Sequence, residues 1–330
     1  MSLRFEEAEI LEQRRVNRLL ASTPRMPLRT AWDVAVLNGA LRLSQALPSP
    51  NLRRIGVAVE QRRVAALGRE AVVRILRPVG ECRGVYLDIH GGAWVLGNAR
   101  MDDAINAEIV RTCGLAVVSV DYRLVLGNAV LAALDDCEAA AVWALENLEA
   151  EFGGGALLIG GESAGAHLAA STLIRLRQHR EFARVAGAVM FYGCYDLCGT
   201  PSLRNAGPDT LILHGPTLAS ALSKLMPHLT PEERRDPAIS PLYADLSGLP
   251  PALFLVGDRD PLLDDTEMLA ARWSAAGSAA ELVIAPEAPH AFNRLPTAMA
   301  RKTNAYGRGW LFSRLIAHER GAAGLRLAAE

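Results

Sequence analysis

Residues Leu157-Leu158-Ile159-Gly160-Gly161-Glu162-Ser163-Ala164-Gly165 decide the reading of this chain. An apolar run closes on two glycines, a serine follows one residue later, and a helix-forming stretch runs from Ala164 to Gln178. A G-x-S-x-G pattern at a strand-to-helix junction sets its serine on a sharp turn, and the glycines leave room for the bend. A serine between glycines alone marks only a turn. With a strand before it and a helix after it, Ser163 becomes a candidate nucleophile.

Outward from this unit, strand-like and helix-like runs alternate from Val85 onward, which predicts a parallel sheet with helices on both faces. The strands expected are Gly84 to Ile89, Leu115 to Val120, Leu157 to Gly160, Ala188 to Tyr192, Ala252 to Val256 and Glu281 to Ile284. Two earlier runs, Ile55 to Glu60 and Ala71 to Leu76, are expected to form an antiparallel hairpin at the sheet edge, across a short polar turn. The chain has no internal repeat. Met1 to about Ser49 is helical in character, and Asp196 to about Ile239 is rich in Pro, Ser and Leu, with a helix start at Thr230-Pro231-Glu232-Glu233.

A serine hydroxyl attacks a carbonyl at neutral pH only with a base in hydrogen-bond reach and a carboxylate orienting that base. Seven histidines compete, at positions 90, 167, 179, 214, 228, 290 and 318. Only His290 follows the last expected strand, in a loop able to carry it over the serine. His167 is tied to the helix of Ser163 and reads as a packed helix residue, whereas His90 reads as an organiser of its own loop. Asp258 and Asp260 both precede His290 in one loop; Asp264 and Asp265 read as first-turn helix residues favoured by the dipole. Charge developing on the carbonyl oxygen needs preorganised N–H donors, each worth about 3 to 4 kcal/mol. His90-Gly91-Gly92 stands at the carboxyl end of an expected strand, where open α/β sheets put ligands. Gly91 and Gly92 are two candidate donors, and Ala164, after the serine at a helix start, is the third. Trp94 beside them lines a pocket or fills core, and Glu162 holds the elbow or a neighbouring loop. Asp102-Asp103 and Asp135-Asp136 read as helix caps and structural hydrogen-bonding groups, not metal ligands.

Six tracts together, His90-Gly91-Gly92-Ala93-Trp94, Val120-Asp121-Tyr122-Arg123-Leu124, Ala133-Leu134-Asp135-Asp136, Gly161-Glu162-Ser163-Ala164-Gly165, Ser240-Pro241-Leu242 and Asp260-Pro261-Leu262, resemble the hormone-sensitive-lipase-like esterases, bacterial family IV. The resemblance covers nearly the whole chain. It implies an α/β-hydrolase fold with a mostly parallel eight-stranded sheet. It also implies a Ser163, Asp260, His290 triad in that fold's chain order, an oxyanion hole of Gly91, Gly92 and Ala164, and a substrate contact at Trp94. Residues 1–49 and 196–239 are expected as cap segments over a core of 50–195 and 240–330. The implied reaction is hydrolysis of carboxylic esters of short or medium acyl chains, with no metal or organic cofactor. The same triad serves amidases, lactonases and carbamate hydrolases. Plant receptors of this fold bind without turnover but lack the triad histidine, so His290 argues against that class. Three departures stand out: Val125-Leu126-Gly127-Asn128 replaces the family's Ala-Pro-Glu, while Ala93 and Ala291 replace glycines and add methyl groups near the pocket.

Composition agrees. At 330 residues, 50% hydrophobic and 22% charged, the chain can bury about 75% of its unfolded surface. A net charge of -1 and a pI of about 6.7 favour neither nucleic acid nor an anionic membrane and suit a small uncharged ester. The first residues carry acids and no apolar leader, and no apolar run reaches the 18 or so residues of a membrane span, so a cytoplasmic protein is expected, with a homodimer as a further expectation. Five cysteines predict no disulfide framework, and Cys194 and Cys198 are expected as buried thiols.

Overall fold

Four central strands are buried along their whole length, as expected where a sheet is covered on both faces. The computed structural model describes residues 3–23, 30–46, 51–126, 129–227 and 229–327. Gly127, Asn128, His228 and the boundary at Ser49 lie outside them. In chain order the described strands are β1 (Val57–Ala66), β2 (Arg69–Pro78), β3 (Gly84–Ile89), β4 (Ala116–Val120), β5 (Ala156–Glu162), β6 (Val185–Phe191), β7 (Ala252–Gly257) and β8 (Ala280–Ala285). The described helices are α1 (Glu7–Ala21), α2 (Ala31–Ala46), α3 (Asp103–Cys113), α4 (Val130–Glu146), α5 (Leu148–Phe152), α6 (Ala164–Leu176), α7 (Pro201–Arg204), α8 (Gly215–Leu225), α9 (Leu263–Ala275) and α10 (Ala298–Leu327).

The eight strands form one sheet in the order β1-β2-β4-β3-β5-β6-β7-β8. β1 and β2 are an antiparallel pair, β2 meets β4 antiparallel, and every other pairing is parallel. The period of two sorts side chains to two cores. Val85, Leu87 and Ile89 of β3 face the side holding α4 and α6, while Tyr86 faces the side holding α3 and α10. Among the described residues no helix is long and apolar enough to cross a membrane.

The edge hairpin is longer than the apolar runs foretell. Gln61-Arg62-Arg63, expected in the turn, continues β1, and the turn is Leu67-Gly68, both at positive φ as a two-residue hairpin requires. An edge strand tolerates charge because one side faces water. Arg62 lies 4.8 Å from the Trp143 ring and 3.0 Å from Glu151. The expected helix start at Thr230 is also cut short. Thr230 and Glu233 exchange capping hydrogen bonds, but only a 3₁₀ turn, Glu233–Arg235, follows, because Asp236 precedes a proline and is extended. All five cysteines are free; Cys194 is buried, whereas Cys198 is partly exposed and donates to Pro231 O at 2.6 Å.

Candidate active site

β3, β5, β7 and β8 end on the same rim of the sheet, and each hands over one part of the site. After β5, Ser163 takes φ 55° and ψ -118° immediately before α6. That bend brings helix and strand so close that a Cβ at Gly165 would collide with Ile89 O. After β8, His290 Nε2 stands 3.0 Å from Ser163 Oγ. After β7, Asp260 Oδ2 lies 2.9 Å and Oδ1 3.1 Å from His290 Nδ1. Asp260 Oδ1 also accepts the Leu262 N–H at 2.9 Å. A carboxylate only accepts, so Nδ1 carries the proton and Nε2 is left to accept from the serine hydroxyl. Asp258 is exposed, and no hydrogen bond or ion pair among the described residues joins it to His290, whereas Asp260 and His290 are each 4% exposed.

Beyond β3, Gly91 and Gly92 border the same cavity as Ser163. The N–H groups of Gly91, Gly92 and Ala164 donate to no acceptor among the described residues. Gly92 has φ 123°, and a Cβ there would strike Leu96 O. His90 stacks on Tyr122 at 4.2 Å and donates from Nδ1 to Gly91 O at 2.8 Å, while Tyr122 Oη donates to His90 O. Burial holds the His90 imidazole down to about 4, so it is neutral and shapes its loop. Trp94 is 1% exposed in the cavity wall, and its Nε1 donates to His167 Nδ1 at 3.1 Å. His167 Nε2 in turn donates to Ile239 O at 2.7 Å, and burial holds this imidazole near 4 as well.

The cavity measures about 200 Å³. Ile212, Leu213 and Leu218, from α8 and the loop before it, form part of its wall, and Ala93 and Ala291 also line it. None of its lining residues comes from α1 or α2. Eight described non-glycine residues have positive φ, and six of them, Ala93, Trp94, Ser163, Tyr192, Ile212 and Ala291, line this cavity. Such conformations cost about 1 to 3 kcal/mol each and persist only where the surroundings fix them.

A family model described as the alpha/beta hydrolase fold matches residues 86–294. The chain belongs to the hormone-sensitive-lipase-like carboxylesterases. It is similar to the carboxylic ester hydrolase LipN of Mycobacterium tuberculosis, at 32% identity over 80% of this chain and 71% of LipN. It is also similar to the carboxylesterase NlhH of the same organism, at 30% identity over 89% of this chain and 93% of NlhH. Among solved structures it resembles esterase LipW from Mycobacterium marinum with a TM-score of 0.81 and 28% identity, over 92% of this chain and 96% of that one.

This hydrolase also carries a buried polar network beneath the elbow that the tracts do not announce. Glu162 accepts from Tyr192 Oη at 2.8 Å, Asn293 Nδ2 at 2.8 Å and Arg294 Nε at 2.5 Å. Arg294 reaches on to Asp102. Burial pushes the Glu162 carboxyl up, but the Arg294 charge and these donors outweigh it and hold it below the ordinary range. Asp88, on β3, accepts from Ser119 Oγ at 2.6 Å and Asn106 Nδ2 at 2.8 Å; burial, with Asp102 adding to it, pushes this acid up to about 8. The one sequence signal was an acid, Glu162, closing a buried strand, which requires a cation somewhere.

The paired acids resolve as ion-pair partners, and neither Asp102 nor Asp103 caps α3 with its side chain. Asp103 takes a bidentate contact from Arg74, Asp136 holds Arg123, and Asp135 holds Arg69 and Arg175. Asp264 and Asp265 lie in the first turn of α9 and also anchor the insertion. Asp264 accepts from the Ser202 N–H; Asp265 accepts from the N–H groups of Tyr195 and Asp196 and from Thr200 Oγ1.

The two N-terminal helices reach the loops of the site from behind. Asn38 of α2 donates to Val95 O at 3.0 Å and accepts the Gly97 N–H at 3.1 Å, and Gln45 and Asn98 exchange two amide hydrogen bonds of 3.0 Å. Asn17 of α1 donates to Glu287 O at 2.7 Å, three residues before His290.

Proposed function

We propose that the hydrolase cleaves carboxylic esters of short or medium acyl chains through an acyl-enzyme on Ser163. The observation that carries this is the unbroken line from Ser163 Oγ through His290 to Asp260, with contacts of 3.0 and 2.9 Å. Ser163 Oγ bonds to the ester carbonyl carbon as its proton passes to His290 Nε2. The carbonyl oxygen takes the negative charge and meets the N–H groups of Gly91, Gly92 and Ala164. The tetrahedral intermediate collapses, the bond to the alcohol oxygen breaks, and His290 returns the proton to that oxygen. Water then attacks the acyl carbon, its proton passing to His290 and on to Ser163 as the acid leaves. Asp260 keeps the imidazole in the required tautomer and stabilises its cation.

Residues 196–239 act in this reading as the acyl-side cap, a role supported by Ile212, Leu213 and Leu218 in the cavity wall. Trp94 contributes apolar contact beside the oxyanion glycines. Residues 1–49 complete the cap as a brace, supported by the Asn38 and Gln45 clamps on the loop behind those glycines.

A fluorophosphonate probe tests the reading: one stoichiometric adduct on Ser163 is expected, with loss of ester hydrolysis. Ser163→Ala should abolish both labelling and turnover while folding is retained. Labelling at another residue, or turnover within a few-fold of the parent, would remove Ser163 from its role.

A further inference from the structure

The cavity wall around Ser163 is apolar over Trp94, Leu96, Leu213, Leu218 and Leu262, yet one guanidinium stands in it. Arg294 spends its Nε–H on Glu162 and one Nη2–H on Asp102. A guanidinium has five N–H donors in a fixed fork. Its Nη1 donates to no acceptor among the described residues, and the side chain is 29% exposed. The two contacts lock the fork, so its free edge is preorganised.

Charge decides what this edge suits. Glu162 is ionised under the influence of Arg294, so the cation is already compensated, and Asp102 adds acid on its other side. A carboxylate entering the cavity would find no net positive charge and would lose its hydration. A neutral carbonyl oxygen loses little hydration and still gains a hydrogen bond from a charged donor, which is stronger than one from a neutral donor. A substrate with no such oxygen leaves the N–H groups facing an apolar chain, and sites built for a hydrogen bond discriminate against substrates that lack it.

We infer that Arg294 is a specificity-determining residue whose Nη1 donates to a second carbonyl oxygen, so that the favoured substrates are oxo esters and neutral diesters. The inference rests on the reading of Ser163 as the esterase nucleophile. A purely structural Arg294, holding Glu162 beneath the elbow, would raise or lower the rates of all esters alike. A selective one changes their ratio.

The test uses the full chain and matched pairs in which a carbonyl replaces a methylene: methyl levulinate against methyl valerate, acetonyl acetate against propyl acetate, and dimethyl succinate against methyl 4-methoxybutanoate. Each kcat/KM is divided by the hydroxide-catalysed rate of the same ester, which cancels inductive activation. In the parent, at least one pair should favour the carbonyl-bearing ester by about tenfold or more, with the gain mainly in KM. Arg294→Lys keeps the charge but loses the fork, and should bring that ratio to within about threefold of one. Normalised ratios near one for every pair in the parent would overturn the inference, as would an undiminished preference in Arg294→Lys. If that variant fails to fold, the parent ratios decide. No hydrolysis of any ester, with no adduct on Ser163, would instead defeat the esterase reading and this inference with it.

Discussion

Ser163 occupies a left-handed backbone conformation that a side chain rarely adopts, held by the Ser163 N–H to Phe191 O bond at 2.9 Å and by the tight approach of Gly165 to β3. In the proposed mechanism its half-buried hydroxyl and the buried His290–Asp260 pair work as a unit, so His290→Ala should be about as inactive as Ser163→Ala. Asp260→Asn should lower turnover by roughly 10³ to 10⁴ because the imidazole loses its orienting partner. Asp258→Asn, two residues earlier and facing solvent, should change turnover by less than about tenfold. Steady-state rates on one aryl ester check all three, and a reversal of the two aspartates would reassign the acid. Ser163 and His290 were legible because each lies in a contiguous tract after a recognisable strand. The choice of Asp260 over Asp258 rested on the Asp260-Pro261-Leu262 tract of the resemblance, since both fit the loop and only the fold buries one of them. The Glu162, Arg294 and Asp102 network was hidden for a related reason: its members come from three distant segments and no spacing joins them.

At the scale of elements, the parallel strands were legible because burial on both faces demands unbroken apolar runs. Only the second half of the edge strand β1 escaped, since one exposed side lets Arg62 and Arg63 continue it beyond Glu60. α2 escaped in another way: its pattern shows a helix but not what the helix holds. Asn38 grips two backbone groups just beyond Gly91 and Gly92, the proposed oxyanion donors, at Val95 and Gly97. Asn38→Ala removes both bonds, each worth about 1 kcal/mol. The expected outcome is a drop in kcat of about tenfold with KM within about twofold, because donors to a developing charge lose their support while the acyl wall stays intact. An unchanged kcat would detach α2 from the reaction and leave it a packing helix.

Over the whole molecule, four buried groups with large shifts contribute to how stability follows pH. The folded-state values of His90 and His167 are lowered to about 4, so between about 4 and 6.5 the unfolded chain binds more protons there and stability rises with pH. Asp88, raised to about 8, and Asp265, raised to about 7, act oppositely: the folded chain keeps protons that the unfolded chain has released above about 4, and stability falls as pH rises toward those values. Two rising and two falling contributions offset one another up to about pH 6.5. Above it, of these four, only the acids still contribute, so their share of stability should decline from pH 6.5 to 8, by on the order of 1 kcal/mol per pH unit for each acid. Urea unfolding at the two pH values measures this. Asp88→Asn, which keeps an acceptor for Ser119 and Asn106, should remove its share of the decline; an equal slope in that variant would acquit Asp88.

The brace formed by α1 also has a consequence for synthesis. Asn17, Glu12 and Glu9 contact Glu287, Ala298 and Lys302, partners 270 to 293 positions later in the chain. At about 5 to 20 residues per second, α1 is synthesised roughly 14 to 54 s before the first of them is. During that interval its apolar face has nothing to cover it, and a chaperone or a wrong surface can claim it. The loop bearing His290 gains its support from α1 only after Glu287 itself has been made, so this part of the candidate site is assembled late relative to α1.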